Sequence, residues 1–288
     1  MKIFCQFSRN FHLLGQAFLF ILIINNSIHA CTIFNKTKGD TVLVGNNEDW
    51  LLTDSQVMFY PASEGKYGRM YFGFNKNGYG GMNECGLFYD VCALPRRDIN
   101  FPEDKPLYLG DFWEFAIETC ATVDEVVHLV EQYYIEQLNR QHVMFVDSTG
   151  NSAVIEWGRD SLAIIYKTGD YQVVTNFTLS DPNLAGTHPC WRYDTATAML
   201  KDSDVSIESF GHILAAVHQE GNYPTQYSNV YDLGKRVVYV CHYHNFDEVI
   251  MFDLIEELEK GFHIYDLPSL FTHAEPILYE SDIPNQFQ

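Results

Sequence analysis

Residues 31–50 read CTIFNKTKGDTVLVGNNEDW, and this stretch decides the fold. Its two runs of β-branched and aromatic residues, CTIFN and TVLVGN, flank the Gly-containing turn KTKGD. Such runs around a turn predict an antiparallel hairpin. Pairing in a hairpin returns the end of the second strand to the start of the first. We therefore expect the polar residues of NNEDW to lie beside Cys31.

The first thirty residues have the pattern of a signal peptide. They begin with basic residues, continue with the apolar run FHLLGQAFLFILII, and end in SIHA, which fits the residue preferences of signal peptidase at its cleavage site. We expect residues 1–30 to be removed before Cys31. A single domain, 31–288, is then exported to a periplasmic, extracellular or lumenal space, with no stable membrane insertion. A retained membrane anchor is the alternative, although the apolar run is short for a span.

The chain is strongly acidic, with 18 Lys and Arg against 38 Asp and Glu and a formal net charge of −20. Because phosphate contacts need clustered basic side chains, this composition argues against nucleic acid as a partner. The cysteines are scattered and form no CxxC pair. We expect most of them to be buried thiols rather than a disulfide framework.

The order of the predicted elements indicates an α+β fold. Strand patterns come first, with GRMYFGF and GLFYDVCAL separated by the Gly-rich turn NKNGYGGMNECG. Helix patterns follow in LGDFWEFAIETC and TVDEVVHLVEQYYIEQL, then strands, one helix in SIESFGHILAAVHQEG, and three closing strands that include RVVYVCHYH. Short hairpins beside segregated helices predict sheets that are covered by helices.

A cysteine exposed by cleavage would carry a thiol and a free α-amine on one residue. Their ordinary pKa values are about 8.5 and about 7.7–8.0, so the amine can accept the thiol proton near neutral pH. Asp49 is then a candidate to orient the amine, and Asn46 and Asn47 are candidate polar contacts to a substrate. The structural alternative is that Asp49 caps a turn and that the two asparagines belong to turn chemistry.

These residues resemble a known family. CTIF…VLVGNNEDW is similar to the opening of the N-terminal-nucleophile cysteine hydrolases of the choloylglycine hydrolase and penicillin V acylase group. It is closer still to the acyl-CoA:6-aminopenicillanate acyltransferase-like and carcinine hydrolase-like linear amide hydrolases. GMNECGL, HVMFVDSTGNSAVIEW, VVTNF and YSNVYDL…YHNF also resemble segments of the family. The resemblance implies a four-layer αββα sandwich of two mostly antiparallel sheets.

The resemblance also implies site roles. Cys31 becomes the nucleophile, Asp49 the residue that orients its amine and thiol, and Asn176 a donor to the oxyanion. As a structural alternative, Asn176 caps the turn after a strand.

Three positions depart from the family pattern. Asn46 stands where the bile-salt and penicillin V enzymes have an arginine, Ala93 replaces their second oxyanion side chain, and their later arginine falls near Ser228 or Asn229. Bile salts and penicillin V are therefore not expected as substrates. A backbone N–H would serve as the second donor, and Asn229 would be a neutral contact to a less anionic substrate.

Other polar residues have weaker signals. Asp90 lies within an apolar strand pattern, where a carboxylate should be paired or line a pocket, and we assign it to the substrate site. Arg192 is either an anion contact or a partner of a surface acid. His242 and His244 are spaced as metal ligands on a strand, although a strand-end pair of exposed histidines is the simpler interpretation.

The sequence thus predicts an exported cysteine amidohydrolase that cleaves linear, non-peptide amides through a thioester on Cys31. If an amine outcompetes water, the same enzyme is an acyltransferase. We expect a small N-acyl amide as substrate, a homo-oligomer, and no cofactor or catalytic metal. The alternatives are a lipid-anchored surface binding protein with acylated Cys31 and a zinc hydrolase that uses His242 and His244.

Overall fold

The computed structural model describes residues 31–272. The predicted signal peptide and residues 273–288 lie outside the described residues. The strands, numbered in chain order, are β1 Thr32–Lys38, β2 Thr41–Asp49, β3 Ser55–Tyr60, β4 Arg69–Phe74, β5 Asn77–Asn83, β6 Phe88–Ala93, β7 Leu107–Tyr108, β8 Tyr134–Ile135, β9 Gln141–Val146, β10 Ser152–Trp157, β11 Leu162–Tyr166, β12 Tyr171–Val174, β13 Thr225–Asp232, β14 Val237–His242, β15 Asn245–Asp253 and β16 His263–Asp266. The α-helices are α1 Phe112–Thr119, α2 Val123–Val130, α3 Trp191–Asp202, α4 Ile207–Val217 and α5 Leu254–Glu259.

Two large antiparallel sheets form the centre of the fold. The six-stranded sheet has the order β12-β1-β2-β13-β14-β15, and the eight-stranded sheet has the order β11-β10-β9-β6-β5-β4-β3-β16. The short strands β7 and β8 pair in parallel elsewhere. None of the helices in the described part of the chain is long and apolar enough to cross a membrane.

Side-chain alternation on the strands builds three apolar layers. On β1, Ile33 points into the core between the sheets, whereas Phe34 points outward to the layer under α3 and α4. The outer face of the other sheet packs against α1 and α2, for example through Tyr89 and Phe145. The order helix, sheet, sheet, helix confirms the α+β class and the predicted αββα sandwich.

The predicted opening hairpin is present and lies in the middle of its sheet. β1 pairs with β2 so that Thr32 opposes Asn47 and Ile33 opposes Asn46. On the other side of β2, Asn229 of β13 opposes Asn46. The predicted hairpin therefore carries the polar end of β2 next to Cys31, as the sequence indicated.

Several sequence predictions of local structure were wrong. The segment interpreted as a Gly-rich turn contains β5, and the helical pattern after residue 122 ends at Val130. The segment that contains Arg192 forms α3, which no pattern predicted, because only Arg192, Ala196 and Leu200 of this helix are buried. The capping box at Thr122 and Glu125 is confirmed. The described cysteines are all free thiols.

Gly45 shows how tightly the outer layer is packed. The ring of Phe34, its partner across the hairpin, lies over it, and a Cβ at position 45 would come within 2.5 Å of that ring. Gly211, within α4, has no heavy atom within 4 Å of the equivalent position. The two glycines therefore form a matched pair for a packing test.

We expect Gly45→Ala to lower the free energy of unfolding by about 1–3 kcal/mol, because the added methyl overpacks a filled layer. Gly211→Ala should raise it by about 0.5–1 kcal/mol, because alanine favours an exposed helix. Urea unfolding followed by circular dichroism measures both. Equal effects of the two substitutions would contradict this account of the packing.

Candidate active site

Cys31 lies directly before β1, and its side chain belongs to the core between the sheets. Its Sγ donates to Oε1 of Glu48 at 3.5 Å. Burial raises the pKa of this thiol well above its ordinary value, and the neighbouring titratable groups Glu48, Cys92 and Asp49 raise it further. The resting state at neutral pH is a thiol, so nucleophilic attack needs a base that removes its proton.

Asp49 ends β2 and is fully buried. Thr225 Oγ1 donates to its Oδ1 at 2.5 Å, and Gln219 Nε2 donates to its Oδ2 at 2.8 Å. Burial raises the pKa of Asp49 to about 7, although the charge of Arg192 and these two hydrogen bonds lower it. The carboxylate is thus held in one orientation by partners from outside the opening hairpin.

Arg192 connects the predicted catalytic residues. Its Nη1 donates to the carbonyl oxygen of Cys31 at 2.6 Å and lies 3.8 Å from Oδ2 of Asp49. The same Nη1 donates to Thr32 Oγ1 at 2.8 Å, and Nη2 donates to Oδ1 of Asn176 at 3.1 Å. One buried guanidinium therefore brings Cys31, Asp49 and Asn176 together. Sequence reasoning considered Arg192 only as an anion contact or a surface partner and missed this role.

Asn176 follows β12 and reaches across to the other sheet. Its Nδ2 donates to the carbonyl oxygen of Ala93 at 2.9 Å, at the position where the family resemblance places a second oxyanion donor. The backbone N–H that follows Ala93, that of Leu94, already donates to the carbonyl oxygen of Arg140 at 2.7 Å. Because Arg192 binds Oδ1, the amide group of Asn176 is oriented with its N–H groups toward the β6 end.

A buried His–Glu pair supports the segment that carries Asn176. His142 Nε2 lies 2.7 Å from the carbonyl oxygen of Thr175, and His142 Nδ1 lies 3.0 Å from Oε2 of Glu156. Both side chains are fully buried. Although burial raises the pKa of Glu156, the hydrogen bond and charge of His142 lower it below its ordinary value. This pair fixes the backbone one residue before Asn176.

A second acid faces Glu48 across the core. Asp90 of β6 shares the inner face with Cys92 and is buried, and its Oδ1 accepts from the N–H of Val91 at 2.7 Å. Burial raises the pKa of Asp90 well above its ordinary value, and the charge of Glu48 adds to this. Burial likewise raises the pKa of Glu48 to about 8, and the charge of Asp49 adds to it. Glu48 thus holds a proton near neutral pH, and the pKa of Asp90 is shifted in the same direction.

Acceptor atoms without a partner surround these acids. Among residues 31–272, no hydrogen-bond partner is present for Glu48 Oε2, Asn46 Oδ1, Asn229 Oδ1 or the Tyr227 hydroxyl, and all four side chains are buried. Asn46, Asn229 and Asp90 thus lie on the inner face with Cys31, where the sequence predicted substrate contacts. Such atoms cost free energy unless a ligand or water pairs with them.

Asn47 does not face this region. Its Nδ2 donates to the carbonyl oxygen of Leu214 in α4 at 3.0 Å, and its Oδ1 accepts from Ser228 Oγ at 2.6 Å. The amide therefore ties β2 to the outer helix layer, because alternation along the strand turns it away from Cys31. We do not retain Asn47 as a substrate contact.

The spacing of His242 and His244 does not place two metal ligands on one strand face, and the simpler interpretation as a strand-end pair of exposed histidines is wrong as well. β14 ends at His242, and Tyr243 and His244 form the two-residue hairpin turn, with φ of 43° and 66°. His242 is buried and stacks on Phe271 at 5.5 Å, and burial lowers its pKa to about 4. His244 lies instead beside His218, with ring centroids 4.8 Å apart. The two histidines do not form one site.

Two stacked antiparallel sheets between helix layers, with a cysteine at the start of a central strand, are the architecture of the N-terminal-nucleophile hydrolases. Solved structures place the chain in this fold. Conjugated bile acid hydrolase from Clostridium perfringens, solved as a variant, superposes with a TM-score of 0.64 at 20% identity, over 86% of this chain and 99% of that chain. No model of a known protein family and no curated protein matches this chain.

Two further structures support the same fold. Penicillin V acylase from Agrobacterium tumefaciens has a TM-score of 0.64 at 20% identity, over 82% of this chain and 92% of that chain. The Caenorhabditis elegans N-acylethanolamine-hydrolyzing acid amidase ortholog has a TM-score of 0.52 at 16% identity, over 71% of this chain and 93% of that chain. The expected resemblance to the choloylglycine hydrolase and penicillin V acylase group is thereby confirmed at the level of fold. The closer likeness to the acyltransferase-like and carcinine hydrolase-like enzymes stays a prediction.

The raised pKa of Glu48, about 8 against an ordinary 4.5, makes stability depend on pH. The folded state holds this proton more tightly than the unfolded state. The stability that this tighter proton binding contributes is therefore fully present below about pH 4.5 and is lost as pH rises through about 8. We expect Glu48→Gln to remove part of the fall in unfolding free energy across this window. Urea unfolding of the full chain at several pH values measures it.

The matched control is Glu103→Gln, at an exposed position, which should follow the wild-type curve. If Glu48→Gln and wild type lose stability with equal slopes between about pH 5 and 8, Glu48 does not hold a proton in the folded state.

Proposed function

We propose that this chain is an exported cysteine amidohydrolase that cleaves linear, non-peptide C–N bonds of small acyl amides through a thioester on Cys31. The single observation that carries this proposal is the Arg192 guanidinium, which brings the backbone of Cys31, the Asp49 carboxylate and the Asn176 amide into one contact set. These are the residues to which the family resemblance assigns catalysis. The solved structures that share the fold are named as hydrolases, an acylase and an amidase, which supports this class of reaction.

The mechanism begins with removal of residues 1–30, which frees the α-amine of Cys31. Asp49, fixed by Thr225 and Gln219, orients this amine, which takes the thiol proton while sulfur attacks the amide carbon. Asn176 and a backbone N–H donate to the oxyanion of the tetrahedral intermediate. The ammonium then protonates the leaving nitrogen as the C–N bond breaks, and the acyl group stays on sulfur.

Release of the acyl group completes the cycle. The α-amine, neutral again, takes a proton from water as the oxygen attacks the thioester, which yields a carboxylic acid and the free thiol. An amine in place of water would give a new amide, so acyltransfer uses the same groups. Acylation of the Cys31 amine, as in a lipid-anchored protein, would remove the base, so that alternative excludes this chemistry.

Aromatic side chains beside the cysteine suit an apolar acyl group. Trp50 packs on Tyr79 at 5.4 Å and on Phe74 at 6.1 Å. Trp50 and Tyr79 pack against the core cluster that contains Cys31 and Phe74. We propose that these rings hold the acyl chain.

The charge of the inner face predicts which amides are accepted. Glu48 and Asp90 lie within the same buried region as Cys31, and the family arginine is replaced there by Asn46. Because burial favours the protonated form of both acids, an anionic substrate would be desolvated on this face without a compensating cation. A cationic amide could pair with an acid that releases its proton, and a neutral amide could donate to the unfilled acceptors. Bile salts and penicillin V, which are anionic, are therefore not proposed as substrates.

Cys31→Ala should abolish amide cleavage because it removes the nucleophile, and Asn176→Ala should lower kcat by about 10²–10³-fold because it removes an oxyanion donor. The measurement is hydrolysis of a panel of N-acyl amines and N-acyl amino acids by exported protein, followed by mass spectrometry of the trapped acyl-enzyme. Intact mass and N-terminal sequencing should show a free Cys31 end.

Two outcomes would contradict the proposal. One is an acylated or uncleaved terminus on active protein, since neither leaves a free amine. The other is full activity of Cys31→Ala. A positive control for folding is the unfolding midpoint of Cys31→Ala, which should stay close to that of the wild type.

We further expect amides that differ only in a terminal group to be cleaved in the order ammonium or hydroxyl before carboxylate, by about tenfold or more in kcat/KM. Asp90→Asn should narrow the ratio between the ammonium and the carboxylate amide, because asparagine cannot release a proton and pair with the ammonium, while the exposed Asp98→Asn should leave it unchanged. Steady-state kinetics on the three amides measures the ratio. A wild-type preference for the carboxylate, or no change in Asp90→Asn, would contradict this assignment of charge.

A further inference from the structure

A second group of ligand-type side chains lies outside the catalytic set. His218 caps the C-terminus of α4, Glu220 follows two residues later, and His244 lies in the hairpin turn between β14 and β15. One potential ligand atom from each residue lies within 4.8 Å of the other two. The proposed amide hydrolysis uses none of these three residues.

His218 is oriented as a metal ligand requires. Its Nδ1 lies 2.6 Å from the carbonyl oxygen of Ala215, so Nδ1 carries the proton and Nε2 keeps its lone pair. That Nε2 lies 3.5 Å from Oε1 of Glu220. Tetrahedral zinc with bonds of about 2.0–2.1 Å needs ligand atoms about 3.3 Å apart, and this pair already meets that spacing.

His244 has the same arrangement. The backbone of Gln219 is hydrogen-bonded to its imidazole, whereas Nε2 is buried and has no hydrogen-bond partner within residues 31–272. The bonded nitrogen is therefore Nδ1, and the lone pair of Nε2 is available to bind a cation.

We infer that His218, Glu220 and His244 form a binding site for a divalent transition-metal cation, with Zn²⁺ as the best match. Two imidazoles and one carboxylate are a common ligand set for this ion, and the fourth position would be a water. Glu220 is 78% exposed in its side chain, which gives the cation a path from solvent. Both histidines have backbone hydrogen-bond partners, so the orientations of their rings are set before a cation binds.

The position of the site gives it a structural consequence. Gln219, between His218 and Glu220, donates to the Asp49 carboxylate, and its backbone N–H is held by Thr225 Oγ1 at 2.8 Å. A cation that links His218 to His244 would restrain this turn and, with it, the carboxylate that we propose orients the catalytic amine. The site would stabilise the active geometry without contacting the substrate.

The test is isothermal titration of exported protein with Zn²⁺. Because the Cys31 thiol and amine could chelate zinc themselves, every variant carries Cys31→Ala. We expect one saturable site, at least about tenfold weaker after His218→Ala, His244→Ala or Glu220→Gln, and unchanged after His212→Ala, an exposed histidine on the same helix. Co²⁺ should give a spectrum of nitrogen and oxygen ligands without thiolate charge transfer.

Hydrogen exchange provides a second readout that does not depend on catalysis. Zn²⁺ should slow exchange at residues 218–225, and His244→Ala should remove this protection. Because Glu220 is exposed, Glu220→Gln folds whether or not the histidine variants do. The inference is overturned by the lack of a saturable site, by thiolate bands with Co²⁺, by equal weakening in His212→Ala, or by full binding in Glu220→Gln and both histidine variants.

Discussion

The candidate site depends on one buried cation. Arg192 lies on α3, outside the six-stranded sheet, yet its guanidinium contacts the carbonyl of Cys31, the side chain of Asn176 and the carboxylate of Asp49. A buried carboxylate without a counter-charge costs several kcal/mol of folding free energy. Removal of one partner of a buried ion pair leaves this cost uncompensated. The buried residues of α3 are Arg192, Ala196 and Leu200, so the helix face that packs on the outer layer also positions this guanidinium.

The resemblance and the hairpin pattern predicted much of this site from sequence. Alternation along β2 is enough to place Asn46 on the inner face, and the apolar context of Asp90 indicated a lined or paired carboxylate. Alternation also turns Asn47 outward, and the sequence interpretation failed there because it treated NN as one polar patch. The interpretation overlooked the two-residue repeat of a strand, in which neighbouring residues point to opposite faces.

The remaining parts could not be predicted because their signals are not local. Gln219 and Thr225 reach Asp49 across about 170 residues of chain, and no spacing rule links them. The β5 strand was taken for a turn because of its glycines, yet a Cβ at Gly80 would come within 2.2 Å of the Asp90 carboxylate. Glycine is needed in that strand to leave room for a buried acid, which is a tertiary requirement that propensity does not express.

The charge around Cys31 helps to decide which base the reaction can use. Glu48 accepts the hydrogen bond of the thiol, but burial raises its pKa to about 8, so near neutral pH it already holds a proton and cannot take another from sulfur. Transfer to an α-amine would instead create a cation that the Asp49 carboxylate stabilises. The thiolate forms at the same moment and pairs with that cation. A buried acid that keeps its proton is therefore a poor base, whereas an amine that Asp49 orients is a good one, which explains how one residue can supply both sulfur and proton acceptor.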